Sequence, residues 1–181
     1  MRIITGSAKG AKLKTPRGMA VRPTADRVKE SLFNILGSRV EAASVLDLFA
    51  GTGNLGLEAL SRGAGHATFV EQSMASIALI RDNAALTKLQ DRITIVKANV
   101  LTALERLEGQ FDLVFCDPPY NRGLVNQVLT KIDTASILAD NALVVLEHSQ
   151  HEQAASGLNQ LQLVRQERFG ETCVGFWRKI E

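Results

Sequence analysis

From residue 45 onward, short apolar runs alternate with longer amphipathic segments, and this alternation restricts the chain to a layered α/β fold. Continuous apolar runs are typical of strands buried on both faces of a parallel sheet, and apolar residues at helical spacing indicate the helices between them. We predict five such strands, at Val45 to Phe49, Ala67 to Glu71, Ile93 to Lys97, Phe111 to Cys116 and Ala142 to His148. The intervening helices are predicted at Leu55 to Arg62, Ser73 to Leu89, Val100 to Leu107 and Leu124 to Ile132.

The last twenty residues follow a different pattern. Apolar and polar residues alternate from Leu161 toward the turn sequence Phe169-Gly170-Glu171-Thr172, and an apolar run then extends from Cys173 to Ile180. Two such segments joined by a glycine-containing turn predict an antiparallel hairpin. We therefore expect an antiparallel edge on an otherwise parallel sheet.

The start of the chain carries turn and helix signals. Gly6 and Gly10 interrupt short basic and apolar runs, which predicts a small hairpin within the first fourteen residues. Thr24 is placed to cap a helix with an apolar face between Val28 and Leu36. Because 181 residues can bury one substantial core, we expect one globular body with a small appendage.

Positive charge is concentrated in this first segment. Residues 1–30 carry eight basic and two acidic groups, a net charge of +6, whereas the remainder carries 13 basic and 17 acidic groups, a net charge of −4. A basic segment on a mildly acidic body is expected when one part of a protein meets a polyanion. A solvated tail without a partner has the same composition, so the charge alone leaves both interpretations open.

The composition also excludes several classes of protein. No stretch approaches the ~20 apolar residues of a membrane-spanning helix, and the first residues lack the apolar run of a secretory signal, so we expect a cytoplasmic protein with no membrane partner. Cys116 and Cys173 show neither metal-site spacing nor the density of a disulfide framework. The three histidines are scattered, so we expect reduced thiols and no metal.

A glycine-rich loop follows the first predicted strand. The segment Gly51-Thr52-Gly53-Asn54-Leu55-Gly56 has G-x-G-x-x-G spacing, and Glu71 lies twenty residues after the first glycine, at the end of the second strand. The glycines permit a tight turn and a close approach of backbone N–H groups to a ligand, while Glu71 can accept hydrogen bonds from both hydroxyls of a ribose. This combination predicts a site for an adenosine-bearing cofactor.

An acidic residue inside the first strand, Asp47, separates the candidate cofactors. A carboxylate there would repel the pyrophosphate of a dinucleotide, whereas S-adenosylmethionine brings an ammonium and a sulfonium cation to the same region. The position of Asp47 therefore favours S-adenosylmethionine. Asp47 capping the N–H groups of the loop, without touching a ligand, is the alternative.

The fourth predicted strand ends at Asp117-Pro118-Pro119-Tyr120, where open α/β sheets bind their ligands. The prolines fix the backbone and remove N–H donors, which leaves a carboxylate, carbonyl oxygens and an aromatic ring facing the site. Asp117 and the Pro118 carbonyl can accept both N–H groups of a base amine and leave its lone pair aimed at a methyl donor. Tyr120 can stack on an extruded base. A rigid strand-ending turn is the alternative.

Four segments together resemble the RsmD family: Arg22 to Glu30, Val45 to Gly53, Gly56 to Ala64 and Asp117 to Tyr120. The resemblance covers nearly the whole chain and implies a Rossmann-like class I methyltransferase fold, with a seven-stranded mostly parallel sheet, a C-terminal antiparallel hairpin and a basic N-terminal hairpin. It implies methylation of guanine N2 in 16S ribosomal RNA with S-adenosylmethionine, on the 30S subunit or its precursor. We expect a monomer with an RNA-binding arm at residues 1–20 and a methyltransferase domain at residues 21–181.

Roles follow for individual residues. The expected catalytic group is Asp117, Pro118, Pro119 and Tyr120. The expected cofactor-binding group is Asp47, Phe49, Ala50, Gly51, Thr52, Gly53, Gly56, Glu71, Gln72, Asn99 and Val100. The expected RNA-binding group is Arg2, Lys9, Lys12, Lys14, Arg17, Arg22, Arg27, Lys29 and Arg122. Asn99 departs from the family, which usually supplies an Asp there to bind the adenine amino group; an amide oxygen accepts that hydrogen bond without charge assistance.

Other functions remain open on the residues alone. The loop spacing also suits a nicotinamide-dependent oxidoreductase, and the basic arm also suits a non-catalytic RNA-binding assembly factor. Asp47 and the Asp-Pro-Pro-Tyr motif oppose the first, and the intact cofactor motifs oppose the second. Methyltransferases of adenine N6 or of a protein amide share related motifs, so only the family resemblance selects guanine N2. Glu147, near the end of the fifth strand, is either a functional acid or a capping acid.

Overall fold

The computed structural model describes residues 1–19 and 23–180. Within these residues the strands are β1 (Ser44–Leu48), β2 (His66–Glu71), β3 (Ile93–Lys97), β4 (Phe111–Cys116), β5 (Leu138–Ser149), β6 (Leu161–Phe169) and β7 (Thr172–Lys179). They form one sheet in the order β3-β2-β1-β4-β5-β7-β6, in which the first five strands pair in parallel and β7 is antiparallel to both neighbours. This architecture confirms the predicted fold class, including the closing hairpin.

In the part of the chain that the structure describes, five α-helices accompany the sheet: α1 (Pro23–Leu36), α2 (Asn54–Ser61), α3 (Met74–Leu86), α4 (Val100–Leu104) and α5 (Leu124–Thr134). Short 3-10 helices follow α1 at Gly37–Val40 and precede β3 at Gln90–Arg92. The helix α3 ends three residues earlier than predicted because Lys88 has a φ of +60°, which an α-helix cannot accommodate. Among the described residues, no helix combines the length and the apolar character needed to cross a bilayer.

Strand β5 begins four residues earlier than predicted. Its first part is polar and contains Asn141, whose φ is +60°. The pairing with β4 shifts register between Phe111 and Leu113, whose partners on β5 are Leu138 and Leu143. Because this irregularity interrupts the alternation of side chains, the start of the strand cannot be recognised from the local pattern.

Successive residues of the central strands supply opposite faces of the sheet. Val45 belongs to the core beneath α1, α2 and α3, whereas Leu46 and Leu48 belong to the core beneath α4 and α5. Trp177, on β7, is 2% exposed and packs in the second core. The two cores bury both faces of the central strands, which explains why the sequences of those strands are nearly continuous apolar runs.

The predicted N-terminal hairpin is present and is docked on the body. An isolated antiparallel bridge joins Arg2 to Lys12, and the side chains of Ile3 and Leu13 are buried in the first core. The backbone N–H of Lys14 donates to Asn83 Oδ1 on α3 at 2.7 Å. The hairpin is therefore held by both apolar and polar contacts to the remainder of the chain.

The helix that follows begins at Pro23, one residue before the predicted cap Thr24. The side chain of Thr24 and the whole of Arg22 lie outside the described residues. The apolar face is as predicted, since Val28, Leu32 and Leu36 are all buried.

Candidate active site

The glycine loop turns sharply between β1 and α2. Gly51 and Gly53 have φ values of +57° and +79°, a region that glycine enters without steric cost. A Cβ added to Gly51 would meet nothing closer than the Phe49 carbonyl oxygen at 3.9 Å, so open space lies in front of this glycine. The loop thus leaves room for a ligand to approach its backbone.

Gly56 has a different role from the first two glycines. A Cβ at Gly56 would lie 2.4 Å from Phe69 Cε1, so the missing side chain allows α2 to pack closely on β2. Its N–H donates to Asp47 Oδ2 at 2.9 Å. The structure therefore places Gly56 in the packing between helix and sheet.

Asp47 makes the capping contact that the sequence left as an alternative. Its side chain is 3% exposed, and burial raises its pKa to about 7; the N–H of Gly56 opposes this shift and the charge on Glu71 adds to it. A carboxyl group with this pKa is only partly ionised at neutral pH. Asp47 therefore shapes the loop through its hydrogen bond with the N–H of Gly56.

Glu71 fixes the geometry on the far side of the loop. Its Oε2 accepts from the N–H of Gly51 at 3.0 Å, and its Oε1 accepts from the N–H groups of Gln72 and Ser73 at 2.8 Å each. These three bonds orient the carboxylate at the end of β2. A carboxylate has about four lone-pair sites, so Glu71 retains capacity for ribose hydroxyls.

A cavity of about 450 Å³, here called the loop-side cavity, lies between the Asp-Pro-Pro-Tyr motif and two residues next to the glycine loop, Phe49, which precedes it, and Glu71, which accepts a hydrogen bond from Gly51. Its wall consists of Phe49, Glu71, Gln72, Asp117, Pro118, Pro119, Tyr120 and Glu147. Three of these side chains are carboxyls and none is basic. The volume lies in the usual range for small-molecule sites, and the charge suits a cation and opposes a pyrophosphate. The residues present therefore fit S-adenosylmethionine, whose sulfonium and ammonium groups are positive.

Eight residues of the expected cofactor group lie outside this wall: Asp47, Ala50, Gly51, Thr52, Gly53, Gly56, Asn99 and Val100. Asn99 is exposed and caps α4, where its Oδ1 accepts from the N–H of Leu101 at 3.0 Å, and Val100 is buried beneath it. Ala50 and Thr52 are buried behind the loop. The structure does not bring Asn99 or Val100 together with the wall residues.

Asp117 and Glu147 are neighbours on adjacent strands. Cys116 at the end of β4 pairs with Leu146 of β5, so the next residues along the two parallel strands are Asp117 and Glu147. The Tyr120 hydroxyl donates to Glu147 Oε1 and lies 3.2 Å from the Thr172 hydroxyl. The structure thus places Glu147 in the same cluster as the motif.

The electrostatics of this cluster follow from its crowded carboxyls. Asp117 opens onto cavities but is enclosed by protein on its other sides, and this desolvation raises its pKa well above the usual range, with further increases from the charges on Glu147 and Asp47. Burial also raises the pKa of Glu147, against the hydrogen bond from Tyr120. The pKa of Tyr120 is raised by burial and by Glu147, so its hydroxyl remains a donor.

A second cavity of about 660 Å³, here called the hairpin-side cavity, lies on the other side of the same cluster. Its wall includes the start of the chain, one face of α1, the beginning of α2 and the turn between β6 and β7. Asp117, Tyr120 and Glu147 line both cavities. These three side chains therefore stand at the junction between a space beside the glycine loop and a space beside the basic hairpin.

Most of the basic residues expected to bind RNA are exposed: Arg2, Lys9, Lys12, Lys14, Arg17, Arg27 and Arg122. Lys14 is paired with Asp82 at 2.9 Å and Arg2 with Asp26 at 3.6 Å, both at the surface. Arg22 lies outside the described residues.

Lys29 corrects one expectation. It is 2% exposed, and its ammonium group lies 3.0 Å from Glu58 Oε2 and donates to Asn54 Oδ1 and to the Arg2 carbonyl. Burial lowers its pKa, while the charge of Glu58 opposes that shift. The ammonium group is buried and paired inside the protein, so Lys29 does not belong to the exposed basic surface. Its spacing from Leu32, Phe33 and Leu36 was the signal that would have placed it on the buried face of α1.

Comparisons with known proteins agree with this geometry. The family model described as "Conserved hypothetical protein 95" matches residues 1–178. The chain is 36% identical over 182 residues to "Putative rRNA methyltransferase YlbH" of Bacillus subtilis (strain 168), with 99% of each chain covered. It is 42% identical over 148 residues to "Ribosomal RNA small subunit methyltransferase D" of Escherichia coli (strain K12), with 81% of this chain and 74% of that protein covered.

A solved structure, "Putative methyltransferase yhhF from Escherichia coli", is similar with a TM-score of 0.87 and 35% identity over 99% of this chain and 97% of that chain. The matches extend over the hairpin, the sheet and both cavities. The fold is that of a class I methyltransferase, and S-adenosylmethionine is the cofactor that fits its loop-side cavity. The chain belongs to the family of conserved hypothetical protein 95, the RsmD family of ribosomal RNA methyltransferases that its motifs resemble.

Proposed function

We propose that this protein methylates the exocyclic N2 amine of a guanine in 16S ribosomal RNA, with the 30S subunit or its precursor as substrate. The observation that carries the proposal is the position of Asp117, Tyr120 and Glu147 between the loop-side and hairpin-side cavities. A methyl donor in the first cavity and a base in the second would meet at these side chains.

The cofactor, when bound, supplies an electrophilic methyl group on a sulfonium. The protein's own contribution is position and electrostatics. Asp117 and the Pro118 carbonyl accept the N–H groups of the amine, and this orients its lone pair away from them. Asp117 also stabilises the positive charge that develops on the nitrogen, and the Tyr120 ring, which is 41% exposed, offers a stacking surface for the base.

The exposed basic residues of the N-terminal hairpin support an RNA substrate. Lys9, Lys12 and Arg17 are exposed on the segment that begins beside the hairpin-side cavity. Phosphate contacts of this kind hold a polynucleotide in register without reading its sequence. The name of the Escherichia coli relative, a small-subunit ribosomal RNA methyltransferase, supports the same choice of RNA. The choice of guanine N2 over adenine N6 rests on the family resemblance.

The test begins with ribosomal RNA from cells that lack this protein. Mass spectrometry of nuclease digests should show the loss of one N2-methylguanosine from 16S RNA, and purified protein with labelled S-adenosylmethionine should restore it on isolated small subunits. Loss of a methyladenosine, or restored methylation on the large-subunit RNA, would overturn the assignment. Asp117→Ala protein is the matched control, because it should not restore the modification.

A further inference from the structure

We propose that Glu147 determines the choice of base by accepting a hydrogen bond from the N1–H of the target guanine, beside the amine held by Asp117. This inference rests on the proposed function and adds a specificity-determining residue to it. Its basis is the juxtaposition of two carboxyl side chains at the junction of the two cavities.

The register of the sheet fixes the spacing of the two acceptors. Because Cys116 pairs with Leu146, Asp117 and Glu147 continue two parallel strands side by side. Backbones of neighbouring strands lie about 4.8 Å apart, so the carboxyl groups of Asp117 and Glu147 are close enough to contact the same edge of one base. Both groups face the hairpin-side cavity, where the base is proposed to enter.

The Watson–Crick edge of guanine matches two adjacent acceptors. Guanine presents N1–H and the N2 amine next to each other, so both positions are donors. Adenine presents an unprotonated N1, an acceptor, beside its N6 amine. A carboxylate facing that N1 would leave two acceptors opposed in an enclosed site, which is a costly arrangement. The pair therefore favours guanine for a reason separate from the amine chemistry.

Neighbouring side chains hold the carboxyl group of Glu147 in position. The Tyr120 hydroxyl donates to Oε1, and Thr172, at the turn between β6 and β7, supports that hydroxyl from 3.2 Å. Burial raises the pKa of Glu147 and the hydrogen bond donated by Tyr120 opposes that rise, and the carboxyl group keeps further lone pairs for a base. No ion pair involving Glu147 occurs among the residues that the structure describes, so its charge is available to a ligand.

A purely structural role for Glu147, holding the Tyr120 ring in place, makes a different prediction. Loss of the ring orientation would weaken the binding of every base to the same degree. The experiment must therefore compare bases that differ at N1. 2-Aminopurine keeps the amine of guanine and lacks both N1–H and the O6 carbonyl, whereas hypoxanthine keeps N1–H and O6 and lacks the amine.

The test uses small subunits reconstituted with 16S RNA that carries one of these bases at the methylated position. Wild-type protein should methylate the guanine form with a kcat/KM on the order of a hundredfold above the 2-aminopurine form. Glu147→Gln should bring the two within about tenfold of each other, because the side-chain amide can donate to an unprotonated N1. Thr172→Val, which removes the other partner of the Tyr120 hydroxyl, should lower both rates equally and leave their ratio unchanged.

Binding supplies a readout that does not depend on methyl transfer. Wild-type protein should bind the hypoxanthine form more tightly than the 2-aminopurine form, and Glu147→Gln should reverse that order. Equal losses on all forms in Glu147→Gln would overturn the inference and return Glu147 to a structural role. A wild-type protein that methylates neither amine-bearing form would instead overturn the proposed function itself.

Discussion

At the scale of single residues, substitution of Asp117 can separate the methyl-transfer step from cofactor binding. Asp117 follows β4 directly and lines both cavities, whereas Glu71 and the glycine loop hold the cofactor side independently of it. Substitution at this position should therefore affect the transfer step and leave the donor site intact.

Asp117→Ala should lower the single-turnover rate of methyl transfer on the order of a hundredfold or more, the scale of removing one preorganised polar group from a reacting centre. Asp117→Asn should give an intermediate rate, because its amide oxygen still accepts a hydrogen bond while the charge is lost. Calorimetry should show that both variants still bind the cofactor, because Glu71 and the glycine loop remain in place. A wild-type rate in Asp117→Ala at saturating RNA would make Asp117 a turn residue.

Asp47 gives a prediction about stability. Its pKa is about 7 in the folded protein and 3.8 as an ordinary value, so the folded state binds more protons between these limits. The free energy of unfolding must therefore fall as the pH rises through this window. Asp47→Asn keeps an acceptor for the Gly56 N–H and does not titrate. Relative to this variant, wild-type protein should lose about 2 to 3 kcal/mol between pH 5 and pH 8 in urea unfolding; parallel pH profiles would contradict the shift.

At the scale of elements, the N-terminal hairpin combines an exposed basic surface with a buried attachment. Glu58 of α2 is fully buried and accepts from the N–H groups of Ile4 and Thr5 at 2.9 and 3.2 Å. It also pairs with Lys29 and with Arg62. One carboxylate thus joins the hairpin, α1 and α2.

Removal of residues 1–14 should destabilise the whole chain. It exposes the sites filled by Ile3 and Leu13, each worth ~1.5–3 kcal/mol of burial, and it leaves Glu58 without two of its donors. A lower Tm and a lower denaturation midpoint in urea are expected. An unchanged Tm would show that the hairpin is a removable arm.

The charge of the hairpin is better tested by substitution. Replacing Lys9, Lys12 and Arg17 with Gln keeps the buried contacts and should reduce the slope of log affinity against log salt concentration, by about 0.9 per lost contact on duplex RNA and ~0.7 on single strands. Lys131→Gln, on α5 beneath the opposite face of the sheet, is the control and should leave the slope unchanged. Filter binding over a salt series measures both. An unaltered slope in the triple variant would make the segment a solvated surface only.

At the scale of the whole molecule, cofactor binding should stabilise the fold selectively. The loop-side cavity has three carboxyls and no basic side chain in its wall, so S-adenosylmethionine or its demethylated product should raise the Tm and NADH should not. At a hundred times the dissociation constant the stabilisation is about 2.7 kcal/mol. Differential scanning fluorimetry with each compound provides the comparison. Stabilisation by NADH alone would overturn the cofactor assignment.

The sequence predicted the layers, the strand positions and the motif at the end of β4, because each depends on a local pattern. It did not predict the features that join distant segments. The pairing of Tyr120 with Glu147 spans 27 residues, and the contact between Ile4 and Glu58 spans 54. The local spacing indicates that Lys29 lies on the buried face of α1, but its buried partner Glu58 lies on another helix and could not be predicted locally. The site could therefore be located from sequence, while its second carboxylate and its attachment to the hairpin required the fold.

The attachment through Glu58 has a consequence for how the protein matures during synthesis. The hairpin leaves the ribosome before its anchoring carboxylate, which lies beyond the glycine loop and emerges only after the loop itself. A nascent chain cannot fix Ile4 and Thr5 through Glu58 until α2 has been released. The basic surface therefore cannot reach its final geometry before the glycine loop has been made, so a truncated or stalled product that ends before Glu58 would carry the positive charge of the hairpin without a fixed geometry for it.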